Sequence, residues 1–307
     1  MKYLRSRLKY YYNKIYQRWN YDTQKALISL GKLHIENNRQ KSTESIQEME
    51  FQVFSQRGED GILQYIVSKI EIPNKIFVEF GVENYTESNT RFLLVNNNWS
   101  GLVIDGSKDN IQFIRSDLIY WKYDLTAYHS FITKDNINKL ISDYTSHSDI
   151  GLLSVDIDGN DYWVWEAIDV INPRIVICEY NSLFGGEKRV SVLYNESFTR
   201  RSAHFSDLYF GASLAAFVEL GERKGYDFIG VASTGVNAFF VRKDLSAPFR
   251  KTDAIAAFVP SPNRDSRDEK GNLSFIRHHE RLAVIKDMYV YDLGLQKTVQ
   301  IKELYNL

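Results

Sequence analysis

The chain has 307 residues, of which 44% are hydrophobic, 14% aromatic and only 5 proline, and its formal net charge is -1. That composition excludes a fibrous, disordered or linker-rich chain, and the length is enough for one large domain with its own core. The near-zero charge excludes the overall basic field that binding a phosphate backbone requires, so no nucleic-acid partner is expected.

The amino-terminal stretch 1–19 places Leu4, Leu8, Tyr11, Ile15 and Trp19 at helical spacing, with Lys2, Arg5, Arg7, Lys9, Lys14 and Arg18 on the other faces and no acidic residue. Such a helix docks on its own domain, on a second subunit in a homo-oligomer, or peripherally on an anionic membrane surface. A second helix is predicted from an Asp22/Thr23 cap through Leu27, Leu30 and Leu33, and the polar stretch 36–48 reads as a linker. From Ser55 the pattern changes. Ile62, Leu63, Ile66, Val67 and Ile70 form one helical face, which Pro73 ends.

Apolar, β-branched runs then alternate with helical stretches. Runs 76–80, 102–104, 151–157 and 174–178 read as strands buried on both faces, and 91–95, 110–116, 134–143 and 161–168 read as helices. A helix over 212–224 leads into runs 226–231 and 237–242, which the turn-prone Ser233-Thr234-Gly235 joins as an antiparallel hairpin. The predicted fold is α/β: a doubly wound, mostly parallel sheet with an antiparallel edge hairpin. Residues 1–50 form a helical extension, 51–245 a Rossmann-like domain, and 246–307 a carboxyl-terminal extension packed on it. Cys178, the only cysteine, lies in an apolar run and reads as core packing in a reducing compartment. No apolar stretch approaches the ~18 residues of a membrane span, and the amino terminus lacks the apolar centre of a secretory signal, so a cytoplasmic protein is expected.

The first chemical signal is Phe77-Val-Glu79-Phe-Gly81-Val-Glu83, a buried strand ending in an acid and a glycine. Ligands bind outside the carboxyl ends of such strands, and Gly81 allows close backbone approach. The loop lacks the further glycines that seat a pyrophosphate, and Glu83 would repel one, so a cationic, phosphate-free cofactor suits it better. The second is Asp105, ending Leu102-Val-Ile, where a carboxylate either accepts from both hydroxyls of a ribose or caps the segment after Ser107. Asp124, in Trp121-Lys-Tyr-Asp-Leu125, is expected at the end of the third strand, facing an adenine amino group.

The densest signal is Ser154-Val-Asp156-Ile-Asp158-Gly-Asn-Asp161 with Cys178-Glu179-Tyr-Asn181. Strand side chains alternate, so Asp156 and Asp158 point to the same side and Glu179 and Asn181 do too; if the two strands are adjacent, the four converge as hard oxygen ligands for Mg²⁺ or Mn²⁺. The alternative is that Asp156 and Asp161 cap the next helix while Asp158 contacts cofactor or acceptor without metal. The long segment 181–209 reads as a lid loop carrying His204, with Arg189, Arg200 and Arg201 able to hold an anionic acceptor such as a nucleotide sugar.

Over residues 51–245 the chain resembles the S-adenosylmethionine-dependent methyltransferases of the FkbM-like superfamily. The likeness is carried by Phe54-Ser-Gln-Arg-Gly-Glu-Asp-Gly61, 77–90, Trp99-Ser-Gly-Leu-Val-Ile-Asp105, 154–165 and Tyr209-Phe-Gly-Ala-Ser-Leu214. The resemblance implies that Glu79, Gly81, Asp105 and Asp124 bind S-adenosylmethionine, with Gln56, Glu83 and Gly106 beside them and Asp156 and Asp158 next to the sulfonium. The expected activity is methyl transfer to a sugar hydroxyl of a surface polysaccharide or its nucleotide-linked precursor, with Asp158 or His204 as base. An N-methyltransferase, and a non-catalytic binding or scaffold protein on the same fold, are the alternatives.

Overall fold

The computed structural model describes residues 22–307 apart from Ser42 and Glu44. The basic, amphipathic stretch 1–19 lies outside the described residues.

The runs that are apolar on both faces do become inner strands. β1 (Ile76–Phe80), β2 (Ser100–Asp105), β3 (Leu125–His129), β4 (Leu152–Val155) and β5 (Ile175–Glu179) form a parallel array. A short strand β6 (Val190–Val192) follows outside it, and β7 (Tyr226–Val231) and β8 (Asn237–Arg242) form the hairpin. The large sheet has seven strands in the order β3-β2-β1-β4-β5-β8-β7, with β8 antiparallel to both neighbours. The predicted doubly wound sheet with its hairpin is therefore the observed architecture. The direction of strand progression reverses between β1 and β4, which opens a crevice at the carboxyl ends of these strands.

Alternation along each strand feeds two cores. Val78, Phe80, Leu102 and Ile104 face Trp165 and Phe217 of the helices Asp161–Ala167 and Leu214–Arg223. Phe77, Val103 and Leu152 face Ile62 and Ile66 of the helix Glu59–Lys69 and Ile111 of the helix Lys108–Ser116. Cys178 is fully buried in the first core, as its apolar surroundings suggested. No helix among the described residues is long and apolar enough to cross a membrane.

Three local expectations change. Residues 22–39 are helical, but Leu27, Leu30 and Leu33 are exposed, and the helix packs instead through Ile28, Gly31 and Ile35. Gly31 decides this, because its missing side chain lets the helix approach Val53 and Phe92. The helix also runs into the expected linker, and Ile46 and Met49 anchor a buried 3₁₀ turn, Ile46–Met49. The expected lid loop contains β6 and the helical turn Arg200–Ala203. β6 pairs with β9 (Tyr289–Asp292), which pairs with β10 (Lys297–Gln300) in a separate three-stranded sheet. This sheet has its own core of Phe184, Val190, Val192, Ile285, Val290 and Ile301.

Candidate functional site

The carboxyl end of β1 is built around Gly81. It adopts φ +66°, and a Cβ there would lie 1.7 Å from the Asp156 carbonyl oxygen, so only glycine lets the turns after β1 and β4 touch. Asp105, at the end of β2, ties in the third turn. One carboxylate oxygen accepts from the Glu83 amide at 2.8 Å; the other accepts from the Ser107 amide at 2.7 Å and from the Asn110 side chain at 3.0 Å. Three strand ends are thus joined in one rim. With Gly106, with Ser130, Phe131 and Ile132 beyond β3, and with Asn160 and Phe198, they line a cleft of about 200 Å³ that opens to solvent on one side.

Carboxylates dominate this cleft. Asp161 folds the turn after β4, accepting from the Ile157 amide at 2.7 Å and the Gly159 amide at 2.8 Å. Burial pushes its pKa up to about 6 despite those bonds. Asp156 lines the cleft and faces Glu179, which lies behind it. Burial first, and then the surrounding carboxylates, raise both well above the ordinary carboxylate range. One Glu179 oxygen is buried with no hydrogen-bond partner among the described residues. Asp158 turns outward at φ +55° and pairs with Arg200 at 2.8 Å. Arg200 also pairs with Asp265 at 3.0 Å, donates to the Asp207 carbonyl and lies over the Phe210 ring at 3.9 Å.

Several expected site residues are elsewhere. Glu79 does not line the cleft: it is buried, and its oxygens accept from the Asn89 and Thr90 amides and the Thr90 hydroxyl, fixing the start of the helix Arg91–Asn97. Asp124 precedes β3 instead of ending it; its carbonyl accepts from the Gly101 amide at the amino ends of β2 and β3, the end of the sheet away from the cleft. Gln56 is exposed, its carbonyl accepts from Gln52, and it is not among the lining residues. His204 also lies outside the lining, with Nδ1 held to the Ser206 hydroxyl at 2.8 Å and its pKa lowered by burial.

The four expected metal ligands do not assemble. β4 stops at Val155, so strand alternation does not extend to Asp156 and Asp158, which diverge toward Glu179 and Arg200 respectively. Asn181 donates to the Leu208 and Phe210 carbonyls and accepts from the Leu183 amide, leaving little of its side chain for a cation. Among the described residues no group of three or more His, Cys, Asp or Glu is arranged to hold a metal ion. This donor set does not fit Mg²⁺ or Mn²⁺.

Sequence reasoning missed Ser130, Phe131, Ile132, Asn160 and Phe198. The signal for the first three was present: Leu125 and Ala127 point inward while Thr126 and Tyr128 are half exposed, the alternation of a strand whose carboxyl end is at residue 129. Phe198 is placed by Gly159, where a Cβ would meet its ring at 2.2 Å. The motif 54–61 proves to be a backbone knot. The Asp60 carboxylate accepts from the Val53, Phe54 and Ser55 amides, and the Glu59 carboxylate accepts from Arg57, Gly58 and Asn237.

No family model matches the sequence, and none of the curated proteins does. The FkbM-like resemblance therefore stands as a proposal. Among solved structures the chain is similar to the N-terminal domain of EvdMO1 with SAH bound, at 9% identity and TM-score 0.40, over 61% of this chain and 80% of that one. It is similar to a SAM-dependent methyltransferase from Aquifex aeolicus, at 8% identity and TM-score 0.34, over 59% of this chain and 87% of that one. A third is an O-methyltransferase family protein from Burkholderia thailandensis, at 8% identity and TM-score 0.36, over 60% of this chain and 58% of that one. All three scores lie below 0.5, and the chemistry of the site rests on its own geometry.

Proposed function

We propose that this protein transfers the methyl group of S-adenosylmethionine to a hydroxyl of a small acceptor. One observation carries the reading: Glu83, Asp105, Asp156 and Asp158 line the cleft, and no lysine or arginine is among its lining residues. A cleft of that charge attracts a cation and rejects a pyrophosphate, which separates a sulfonium cofactor from a nicotinamide dinucleotide. The antiparallel β8 inside the sheet supports the same distinction, since methyltransferases use that layout and the nicotinamide-binding fold does not. The enclosed 200 Å³ is below the ~300–1,000 Å³ of typical ligand sites, so part of a nucleoside would extend through the open side.

When bound, the cofactor supplies an electrophilic methyl group whose carbon–sulfur bond breaks with its electron pair going to sulfur. In this reading Asp105 accepts from a ribose hydroxyl through the one lone-pair site its three donors leave free, and Ile104, Phe131 and Ile132 offer apolar surface to the adenine. Asp158, the outward-facing carboxylate of the cleft, takes the proton of the acceptor hydroxyl as its oxygen bonds to the methyl carbon. The resemblance over residues 51–245 supports a sugar hydroxyl, of a surface glycan or its nucleotide-linked precursor, as the acceptor. Titration calorimetry with S-adenosylhomocysteine tests the reading: saturable binding that weakens in Asp105→Ala is expected, and the absence of any binding heat overturns it.

A further inference from the structure

Beside the acidic cleft lies a second hollow of about 220 Å³, lined by Arg200, Arg201, Asp207, Asp265 and Arg267. The two are joined by a single ion pair, because Arg200 belongs to the hollow and its partner Asp158 to the cleft. Three guanidinium groups against two carboxylates leave the hollow with an excess of positive charge, next to a cleft that has none.

The arginines are held in different ways. Arg200 is anchored at Nε on the Asp207 carbonyl and over the Phe210 ring, while its Nη1 and Nη2 are exchangeable donors on Asp158 and Asp265. Arg267 is fixed through its backbone, whose amide donates to the Ser206 carbonyl at 3.1 Å, and through Nε on Asp207 at 3.0 Å. Arg201 is loosely held: its Nε is 3.4 Å from Asp207, its side chain is 56% exposed, and its Nη atoms make no hydrogen bond to another described residue. The facing Asp207 oxygen is itself buried without a hydrogen-bond partner among the described residues. Two forks that already bond within the protein, Arg267 also through Nη1 on the Gly271 carbonyl at 2.9 Å, and one free fork are presented from the helical turn Arg200–Ala203 and from the carboxyl-terminal segment, and so approach from more than one direction. A planar carboxylate is satisfied by one fork, whereas a tetrahedral phosphate offers oxygens to several.

We propose that this hollow binds a phosphate group of the acceptor, and that the phosphate draws Arg200 away from Asp158. Released from its guanidinium partner, the Asp158 carboxylate is then free to receive the hydroxyl proton, so the base is exposed only when a phosphate-bearing acceptor is in place. The phosphate site stands on the arginine geometry alone, and the release of Asp158 rests on the methyl-transfer reading. Only part of the acceptor is specified by it, a hydroxyl on a scaffold that also carries a phosphate or diphosphate.

The experiment is titration calorimetry of the full chain with pyrophosphate, with acetate as the planar control, repeated in Arg201→Gln and Arg267→Gln and paired in each protein with S-adenosylhomocysteine. Loss of one charge-assisted contact predicts pyrophosphate binding about tenfold weaker or worse in each variant, with acetate silent and S-adenosylhomocysteine unaffected. Arg201 is exposed, so its variant folds even if Arg267→Gln does not. No pyrophosphate binding to the unaltered chain, or binding that Arg201→Gln leaves unchanged, overturns the phosphate site. Pyrophosphate binding without S-adenosylhomocysteine binding upholds the site and sinks the methyl-transfer reading instead.

Discussion

The backbone of Gly81 packs directly on that of Asp156, so closely that a Cβ on the first would lie 1.7 Å from the carbonyl oxygen of the second. This contact brings two strand ends together at the reversal of strand order, and it is why Asp105 and Asp156 face one cleft. The glycine here serves the contact between turns before it serves any ligand.

Gly81→Ala is therefore expected to cost at least ~2 kcal/mol, combining a left-handed φ with a clash against backbone that cannot rotate away. Gly225 is the control: it also has positive φ, at +87°, but open space surrounds its Cβ direction. Gly225→Ala should show only the conformational cost, about 1 kcal/mol. Denaturant midpoints of the two variants compare them directly, and equal losses would mean that the contact with Asp156 contributes nothing.

What the sequence revealed, and what it concealed, follows from how local each feature is. β1, β2, β4 and β5 are buried on both faces, so each is dominated by a short run of consecutive apolar residues. β3 is an edge strand with one half-exposed face, and its weaker alternation allowed Asp124, at the wrong end, to pass as a strand terminus. In the helix 22–39 the leucines dominate the hydropathy pattern, yet a close approach at Gly31 turns them to solvent. The expected convergence of Asp158 and Asn181 on one cation failed because alternation holds only while the strand lasts, and both lie beyond the last paired residue. The partner of Asp158, Arg200, is 42 residues away, a pairing no local pattern encodes.

Asp105→Ala would leave the Glu83 and Ser107 amides without their acceptor and remove the carboxylate assigned to the ribose. Affinity for S-adenosylhomocysteine should fall at least ~10-fold, the equivalent of one charged hydrogen bond. Asp124→Ala, at the amino end of β3 and away from the cleft, should bind as the unaltered chain does. Calorimetry on both variants decides whether the cofactor lies where the cleft is.

Chelation should leave methyl transfer unchanged. Asn181 is engaged with two carbonyls and one amide, and Asp158 is paired with a guanidinium, so the oxygens that would have held a divalent ion are directed elsewhere. Product formation followed with excess chelator and again after added Mg²⁺ is the measurement. Activity that disappears and is restored by the cation would show that these side chains rearrange on binding.

The register of the helix 22–39 can be read by packing substitutions. A Cβ at Gly31 would lie 2.7 Å from Val53 and 2.9 Å from Phe92, so Gly31→Leu overfills the contact and should destabilise by ~1–3 kcal/mol. Leu30, 53% exposed, should tolerate serine within ~0.5 kcal/mol. Thermal midpoints in the reverse order would place the leucine face inward.

Stability should fall as pH rises from about 4.5 to 7 through the buried carboxyls, Glu79 and Asp60 among them. Burial pushes Glu79 up to about 7 and Asp60 up to about 6, in each case against hydrogen bonds that favour the charged form. In the unfolded chain both ionise near pH 4, so between these values the native state binds more protons and each step of deprotonation favours unfolding. The contribution is complete below about pH 4 and is lost as pH passes through the native values, at up to ~1.4 kcal/mol per pH unit for each proton. Glu79→Gln keeps an acceptor for the Asn89 and Thr90 amides and cannot ionise, so its thermal midpoint should change less between pH 5 and pH 8. If the two curves run parallel across that interval, Glu79 is already charged in the native protein, and its hydrogen bonds outweigh the burial that opposes them.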